Sequence, residues 1–210
     1  MKFLITAGPT REALDPVRYL TNRSSGKMGY AIAEAACRAG HEVTLVSGPV
    51  DLSAVEGVET IRVETAAEMY DAVKANLAVD VAIFAAAVAD YRPLAVATQK
   101  IKKQGELLTL ELERTQDILG SMREPFGFRG VLVGFAAETE NVVENALSKL
   151  RKKGCDLLVA NDVSRSDIGF DRDENEVTVF EKSGRSERWQ RQSKAEIGAQ
   201  LIARIEAVTA

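Results

Sequence analysis

The sequence predicts an α/β fold: a Rossmann-like, mainly parallel sheet with helices on both faces and an antiparallel flap or edge extension. Three observations predict it. Short apolar runs alternate with stretches of helical periodicity, the mark of strand-helix-strand units. Several of those runs are almost continuously apolar, as strands covered on both faces must be. Other segments alternate apolar and polar residues, which suits antiparallel strands with one wet face.

In chain order, the first strand is expected at 2–7 (KFLITA). A helix over 26–39 follows, in which Met28, Ile32, Ala35, Ala36 and Ala39 make one stripe and Ser25 stands as the cap. Strands at 42–47 and 59–63 precede a helix at 65–77, where Thr65 with Glu68 three residues on reads as a capping box. A strand at 80–86 leads to an alternating strand at 107–113 and a helix at 115–123. The run GVLVGF predicts a strand at 130–135, and a helix at 141–153 is closed by Gly154. A strand at 156–160, antiparallel strands at 175–181 and 186–190, and a helix at 193–208 complete the set. No internal repeat, low-complexity tract or Pro/Gly/Ser-rich linker interrupts it, so residues 1–210 are read as one domain.

Composition narrows the function. With 27 Lys and Arg against 31 Asp and Glu the net charge is −4, and 46% of residues are hydrophobic, enough for a substantial core. A pI near 5.3 lacks the basic field of a general nucleic-acid binder, which sits above about 9. One His and two Cys cannot build a zinc site by themselves, so Cys37 and Cys155 are read as small core residues and His41 receives no catalytic role. No apolar run approaches the roughly 18 residues a membrane span needs, and the N-terminus carries no signal-peptide pattern, so a cytoplasmic protein is expected.

In such a sheet ligands bind beyond the carboxyl ends of the strands. Small residues and isolated polar groups collect there: Gly8-Pro9-Thr10, Ser47-Gly48-Pro49, Ala86-Ala87-Val88-Ala89-Asp90, Phe135-Ala136-Ala137-Glu138-Thr139 and Asn161-Asp162. Gly8, Asn22, Ala86, Asp90, Phe135 and Asn161 are expected to line one cleft. The loop from Gly8 to Lys27 is far longer than the usual ~2–6 residues of such connections, and long loops are usually functional. It ends in Asn22-Arg23-Ser24-Ser25-Gly26-Lys27, which sets hydroxyls and backbone N–H groups at a helix start, an anion site in physical terms. The two familiar phosphate motifs are absent. Thr21 stands where a P-loop needs glycine and Met28 where it needs Ser or Thr, while the G-x-G-x-x-G fingerprint is missing and Ser47-Gly48 replaces the ribose-holding acid. This argues against a kinase or GTPase, and a Rossmann-like nucleotide-cofactor oxidoreductase is kept only as the alternative. A regulatory module that retains a nucleotide site without turnover is a second rival. Lys100-Ile101-Lys102-Lys103, with Lys149 and Lys153 four apart on one helix face, adds cationic groups that suit a multiply charged ligand.

Taken together, ITAGPTREALDPVRYLTNRSSGKMG (5–29), VTLVSGPV (43–50), AAAVADYRP (85–93), KIKK (100–103), VGFAAET (133–139) and LVANDV (158–163) resemble the bacterial phosphopantothenate-cysteine ligase domain of coenzyme A biosynthesis. The resemblance implies that the carboxylate of 4′-phosphopantothenate attacks the α-phosphate of CTP, and that the cysteine amine then displaces CMP from the acyl-cytidylate. It assigns Asn22 to the acyl group, Arg18 to phosphopantothenate in its own subunit or across a dimer interface, and Lys100 to the nucleotide, these three being the catalytic set. Gly8, Ser24, Gly26, Ala85, Ala86, Asp90, Asp117, Ile118, Phe135, Lys149 and Lys153 join Lys100 in binding CTP. Ala86, Ala87 and Asp90 flank phosphopantothenate with Arg18 and Asn22. The family usually shows Asn-Pro-Asp where this chain has Thr115-Gln116-Asp117. Mg2+ or Mn2+ is implied near Asp90 through the triphosphate. No flavin is implied in this domain, although the family is often fused behind a flavin-dependent decarboxylase. A homodimer is implied too, in line with the open edges of the alternating segments, and no nucleic-acid or membrane partner.

Overall fold

The computed structural model describes residues 1–103, 105–138, 140–162 and 172–209. Twelve strands and five helices lie among them, in the order β1 (Lys2–Ala7), β2 (Arg11–Ala13), β3 (Tyr19–Thr21), α1 (Lys27–Arg38), β4 (Glu42–Ser47) and β5 (Glu59–Arg62). Then come α2 (Ala66–Ala75), β6 (Val81–Phe84), β7 (Tyr91–Pro93), β8 (Leu112–Arg114), α3 (Ile118–Ser121) and β9 (Val131–Glu138). The chain continues through α4 (Val142–Lys153), β10 (Leu157–Asp162), β11 (Glu174–Glu181), β12 (Ser186–Ser193) and α5 (Lys194–Thr209).

Eight strands form one sheet in the order β12-β11-β10-β9-β6-β1-β4-β5. Pairing is parallel from β5 to β10 and antiparallel where β11 and β12 are added. The apolar runs dictate the layering. In β1 only Lys2 is exposed, and all four residues of β6 are buried, so these central strands need cover on both faces. One face receives α1 and α5 over Phe3, Ile5, Ile83, Val133, Val159 and Val179. The other receives α2, α3 and α4 over Leu4, Ala82, Leu132 and Leu158. Adjacent residues of one strand thus feed two different cores, as the period of two requires.

The expected parallel core, the C-terminal antiparallel extension, the Thr65–Glu68 capping box and the Gly154 closure are all present. Four details differ. Of the segment 107–113 only Leu112 and Glu113 are in a strand, Leu112–Arg114, paired with Tyr91–Pro93; one further bond, from the Leu94 amide to the Glu111 carbonyl at 3.0 Å, extends the pairing, and Leu107 to Leu110 have no partner strand among the described residues. Leu107 and Leu108 are left 90% and 59% exposed. The helix expected at 115–123 shrinks to Ile118–Ser121, since Asp117 caps it late and Pro125 cannot continue it. The cap of α1 is Gly26 in the left-handed region, with no side-chain cap bond, and not Ser25. Cys155 is fully buried, whereas Cys37 is only partly so, its thiol directed at the Glu56 carbonyl oxygen at 3.6 Å.

Backbone approach is closest where β1 meets α1. A Cβ on Gly29 would stand 2.5 Å from that of Ala7 and 3.0 Å from the Thr6 carbonyl oxygen, and one on Gly48 would stand 1.8 Å from the carbonyl oxygen of Pro9. Glycine at these positions lets the helix start and the two strand ends converge. Gly29→Ala is therefore expected to overpack the seam and lose about 1–3 kcal/mol, read as a lower urea midpoint. An unchanged midpoint would show that α1 can shift without cost.

Candidate functional site

The carboxyl edge of the sheet is built from the centre outward. Beyond Ala7 the chain leaves β1 through Gly8 (φ +78) and keeps pairing sideways. The amide of Ala87 donates to the Gly8 carbonyl at 2.9 Å, and Pro9 forms a parallel bridge to Ala87. Thr6 serves its neighbours twice, accepting the Ala85 amide at its carbonyl (3.2 Å) and the Ala86 amide at its hydroxyl (3.3 Å). The buried Thr10 accepts the Ala89 amide through its hydroxyl at 3.0 Å. The amides of Ala85, Ala86 and Ala87 are thus engaged, and what Ala85 and Ala86 can offer a ligand is carbonyl oxygen.

The loop from Gly8 to Gly26 is not an open span, and this the sequence pattern missed. Its strands β2 and β3 form a hairpin, three residues each, too short to show periodicity. The legible signal was Asp15-Pro16, a turn former. Glu12, buried on β2, accepts the amide of Ala66 at 2.8 Å and so helps start α2. Asn22, just past the hairpin, donates its amide nitrogen to the carbonyls of Ala87 (3.0 Å) and Val88 (3.1 Å). Ser24 accepts the Gly26 amide at 3.4 Å, and Lys27 pairs with Asp173 at 2.7 Å. Gly8, Asn22, Gly26 and Ala85 to Ala87 therefore sit together around the ends of β1 and β6.

A second group lies one strand over. Phe84 of β6 is paired with Gly134 of β9, so Phe135 follows at the same edge. Lys149 of α4 donates to the Phe135 carbonyl at 2.8 Å, and Lys153, one turn on, pairs with Asp117. Asp117 also caps α3 by accepting the Gly120 amide at 2.8 Å, while Ile118 behind it is buried. Burial pushes the Asp117 carboxyl up, but the Lys153 bond, the Gly120 amide and the charges of Lys153 and Lys149 together hold it below its ordinary range. Asp90 joins the two groups: it is exposed, and its carbonyl accepts the Thr115 amide at 3.0 Å, two residues before Asp117. Asn161 lies at the end of β10 beside Ala137 of β9, buried. Thr139 and Val163, the last residues of two of the motif segments, lie outside the described residues.

Arg18 and Lys100 form a third group through Asp15, a residue that sequence reasoning passed over. Arg18 donates to Asp15 from Nε (3.0 Å) and Nη2 (2.5 Å), and Nη2 also reaches the carbonyl of Ile101 at 2.9 Å. Lys100, next to Ile101, is exposed. Among the described residues no three metal-ligating side chains cluster, so a divalent cation here would draw its ligands chiefly from phosphate and water, with Asp90 as the carboxylate. At the end of β4, where a dinucleotide fold needs an acid, Ser47 is buried and bonded to the Tyr30 hydroxyl at 3.0 Å. A cavity of about 170 Å3 between α1 and α5 shares no lining residue with these groups. Among the described residues no helix is long and apolar enough to cross a membrane.

Comparison with known proteins shows what the chain is similar to. The family model for the DNA/pantothenate metabolism flavoprotein C-terminal domain matches residues 1–208. The coenzyme A biosynthesis bifunctional protein CoaBC of Vibrio parahaemolyticus is 52% identical over 184 residues, 86% of this chain and 46% of that protein. CoaBC of Bacillus subtilis is 48% identical over 208 residues, 98% of this chain and 51% of that protein. The chain thus spans about half the length of these relatives. The crystal structure of the C-terminal domain of CoaBC superposes with a TM-score of 0.84 at 45% identity, covering 99% of this chain and 95% of that one.

The Asp15 carboxyl is held well below its ordinary 3.8, first by the Arg18 hydrogen bonds, against the opposing effect of burial. A carboxyl lowered on folding stabilises the fold above its unfolded value, and that contribution disappears as pH falls toward the folded value. Asp15→Asn is expected to flatten the acid limb of stability below about pH 4, measured by denaturant unfolding at stepped pH. An acid limb of unchanged slope would remove Asp15 from the account.

Proposed function

The chain belongs to the family of DNA/pantothenate metabolism flavoprotein C-terminal domains, and from that premise we propose that it ligates 4′-phosphopantothenate to L-cysteine using CTP, through an acyl-cytidylate, releasing pyrophosphate and then CMP. One observation carries this reading: motif segments from β1, β6 and β9, each weak alone, meet at the carboxyl ends of those strands in bonded groups whose chemistry suits a nucleoside triphosphate and a phosphorylated carboxylate.

A carboxylate has no leaving group, so it must first be esterified to a nucleotide. Bringing it to a triphosphate sets like charges against each other, and the help needed is neutralisation and positioning. Lys149 and Lys153 supply cations beside Phe135, Lys100 a third, and the amides at the start of α1 an anion-binding surface. Carbonyls of Ala85 and Ala86 suit a pyrimidine bearing an amino donor, which favours cytosine over uracil. Mg2+ or Mn2+, when bound beside Asp90, would offset charge on the phosphates. Asn22 holds the reacting acyl group: neutral, it neither repels the carboxylate nor protonates the intermediate. Its nitrogen rests on the Ala87 and Val88 carbonyls, and in the proposed reaction it turns from them to donate to the reacting carbonyl oxygen. Arg18, planar and forked, suits the phosphate of phosphopantothenate. We infer further that a flavin-dependent decarboxylase makes up the other half of the longer relatives, that this half needs no flavin, and that the protein works in the cytoplasm.

Loss of one positioned charge in such a site commonly costs about 10²-fold in rate. Lys100→Gln is expected to lose pyrophosphate release by about that factor with an unchanged melting curve, and normal release would show the lysine to be merely solvated. Asn22→Asp sets a carboxylate against two carbonyl oxygens. It is expected to slow amide formation more than cytidylate formation, so that acyl-cytidylate accumulates by mass spectrometry even with cysteine present. Equal loss of both steps would deny Asn22 its role at the acyl group.

The active form proposed is a homodimer. Leu94, Val96, Leu107 and Leu108 are each more than half exposed, apolar surface that a subunit interface would cover. Light scattering is expected to give twice the chain mass at micromolar concentration; a fully active monomer would overturn it.

A further inference from the structure

Asp15 does more than shape its turn. Its carboxyl group is inaccessible to solvent, and the two oxygens have separate partners. Oδ1 accepts the amides of Val17 (2.8 Å) and Arg18 (2.9 Å), the bonds of an Asx turn. Oδ2 accepts Arg18 Nε and Nη2 and, from a segment 86 residues away, the amide of Ile101 at 3.0 Å. Arg18 Nη2 completes a ring by donating to the Ile101 carbonyl at 2.9 Å. Both main-chain groups of Ile101 are therefore clamped, one by the acid and one by the base. Four residues earlier the Ala97 amide donates to the Leu14 carbonyl at 3.0 Å. The short span that carries Lys100 is thus fastened at both ends to the 14–18 turn.

The same contacts set the guanidinium. Its Nε and Nη2 edge is taken up by Asp15 and Ile101, while the side chain stays 42% exposed. Among the described residues Nη1 makes no hydrogen bond, so that edge is the one presented outward. The Arg18 guanidinium and the main chain that carries Lys100 are held to one buried carboxylate oxygen.

We propose that Asp15 is a positioning residue that, through Oδ2, latches the Lys100 span to Arg18 and so sets the spacing of the two cations; its use in catalysis rests on the ligase reading above. Holding both before the substrate arrives removes ordering entropy from the bound state. A turn-forming role alone would need only Oδ1.

Asp15→Asn separates these roles, because the amide oxygen can keep the turn while its NH2 stands against donors at the latch. Hydrogen exchange and pyrophosphate release are measured on the 210-residue chain, alone and combined with Lys100→Gln. The Ile101 amide is expected to exchange at least tenfold faster in Asp15→Asn, with Val17 and Arg18 unchanged. Pyrophosphate release is expected to fall at least tenfold in the wild-type background but less than threefold in the Lys100→Gln background. Unchanged Ile101 exchange, or equal losses in both backgrounds, would overturn the latch. Should Asp15→Asn fail to fold, replacing Ile101 by its α-hydroxy acid, which exchanges the N–H that Oδ2 accepts for an ester oxygen and keeps the side chain, takes its place in the same rate comparison. If the unaltered chain releases no pyrophosphate from CTP and phosphopantothenate, the ligase reading fails, and the exchange result alone decides the latch.

Discussion

A strand buried on both faces cannot end in open protein: every main-chain group beyond it must find a partner before the chain reaches water. At the end of β1 that constraint organises everything near the site. The Ala7 carbonyl accepts the Gly48 amide and the Gly8 carbonyl accepts the Ala87 amide. Thr6 and Thr10 then use hydroxyls to serve amides that the ladder no longer reaches. The strand ends are knitted together past the regular sheet, and close approach at Gly29 and Gly48 follows. Because this knitting uses the amides of Ala85 to Ala87, the character of the edge as acceptor surface is decided by folding before any ligand arrives.

Charge is arranged on the same economy. The chain is acidic overall, yet it sets cations in two bonded groups, Lys149 and Lys153 beside Phe135 and Asp117 and Arg18 with the Lys100 span at Asp15. Two of these are matched locally by a carboxylate, Arg18 by Asp15 and Lys153 by Asp117, and Lys149 rests on the Phe135 carbonyl. Each contact holds a flexible cationic side chain in one place. Neighbouring cations repel one another, and the carboxylate beside Arg18 and that beside Lys153 offset the repulsion in each group.

Much of this was legible in the sequence. Continuous apolar runs identified β1, β6, β9 and β10, and alternation identified β11 and β12. Motif segments, set on the rule that α/β sheets bind at their carboxyl ends, gave Gly8, Asn22, Ala86 and Phe135 a common edge. What failed to show was local or short. Strands of three residues carry less than two periods, so β2, β3 and β7 left no trace. At 107–111 the alternating pattern was present, yet no neighbour offered a face to bury, and Leu107 stands almost fully exposed. Asp15 escaped because a turn explains an Asp-Pro pair fully, while its link to Ile101 spans 86 residues and has no sequence signature.

The resting contacts of Asn22, Lys149 and Lys153 have a consequence for turnover. In the ligase reading proposed above, these three groups already grip the protein, so an arriving anion would trade places with a carbonyl or a carboxylate there. Net affinity is then the difference between two similar bonds and stays moderate. On departure the displaced partner would close back in, so that the nucleotide of the proposed reaction would leave without exposing unpaired groups behind it. A site that completes its own bonds when empty is built for exchange, and it resists being trapped by what it has just made.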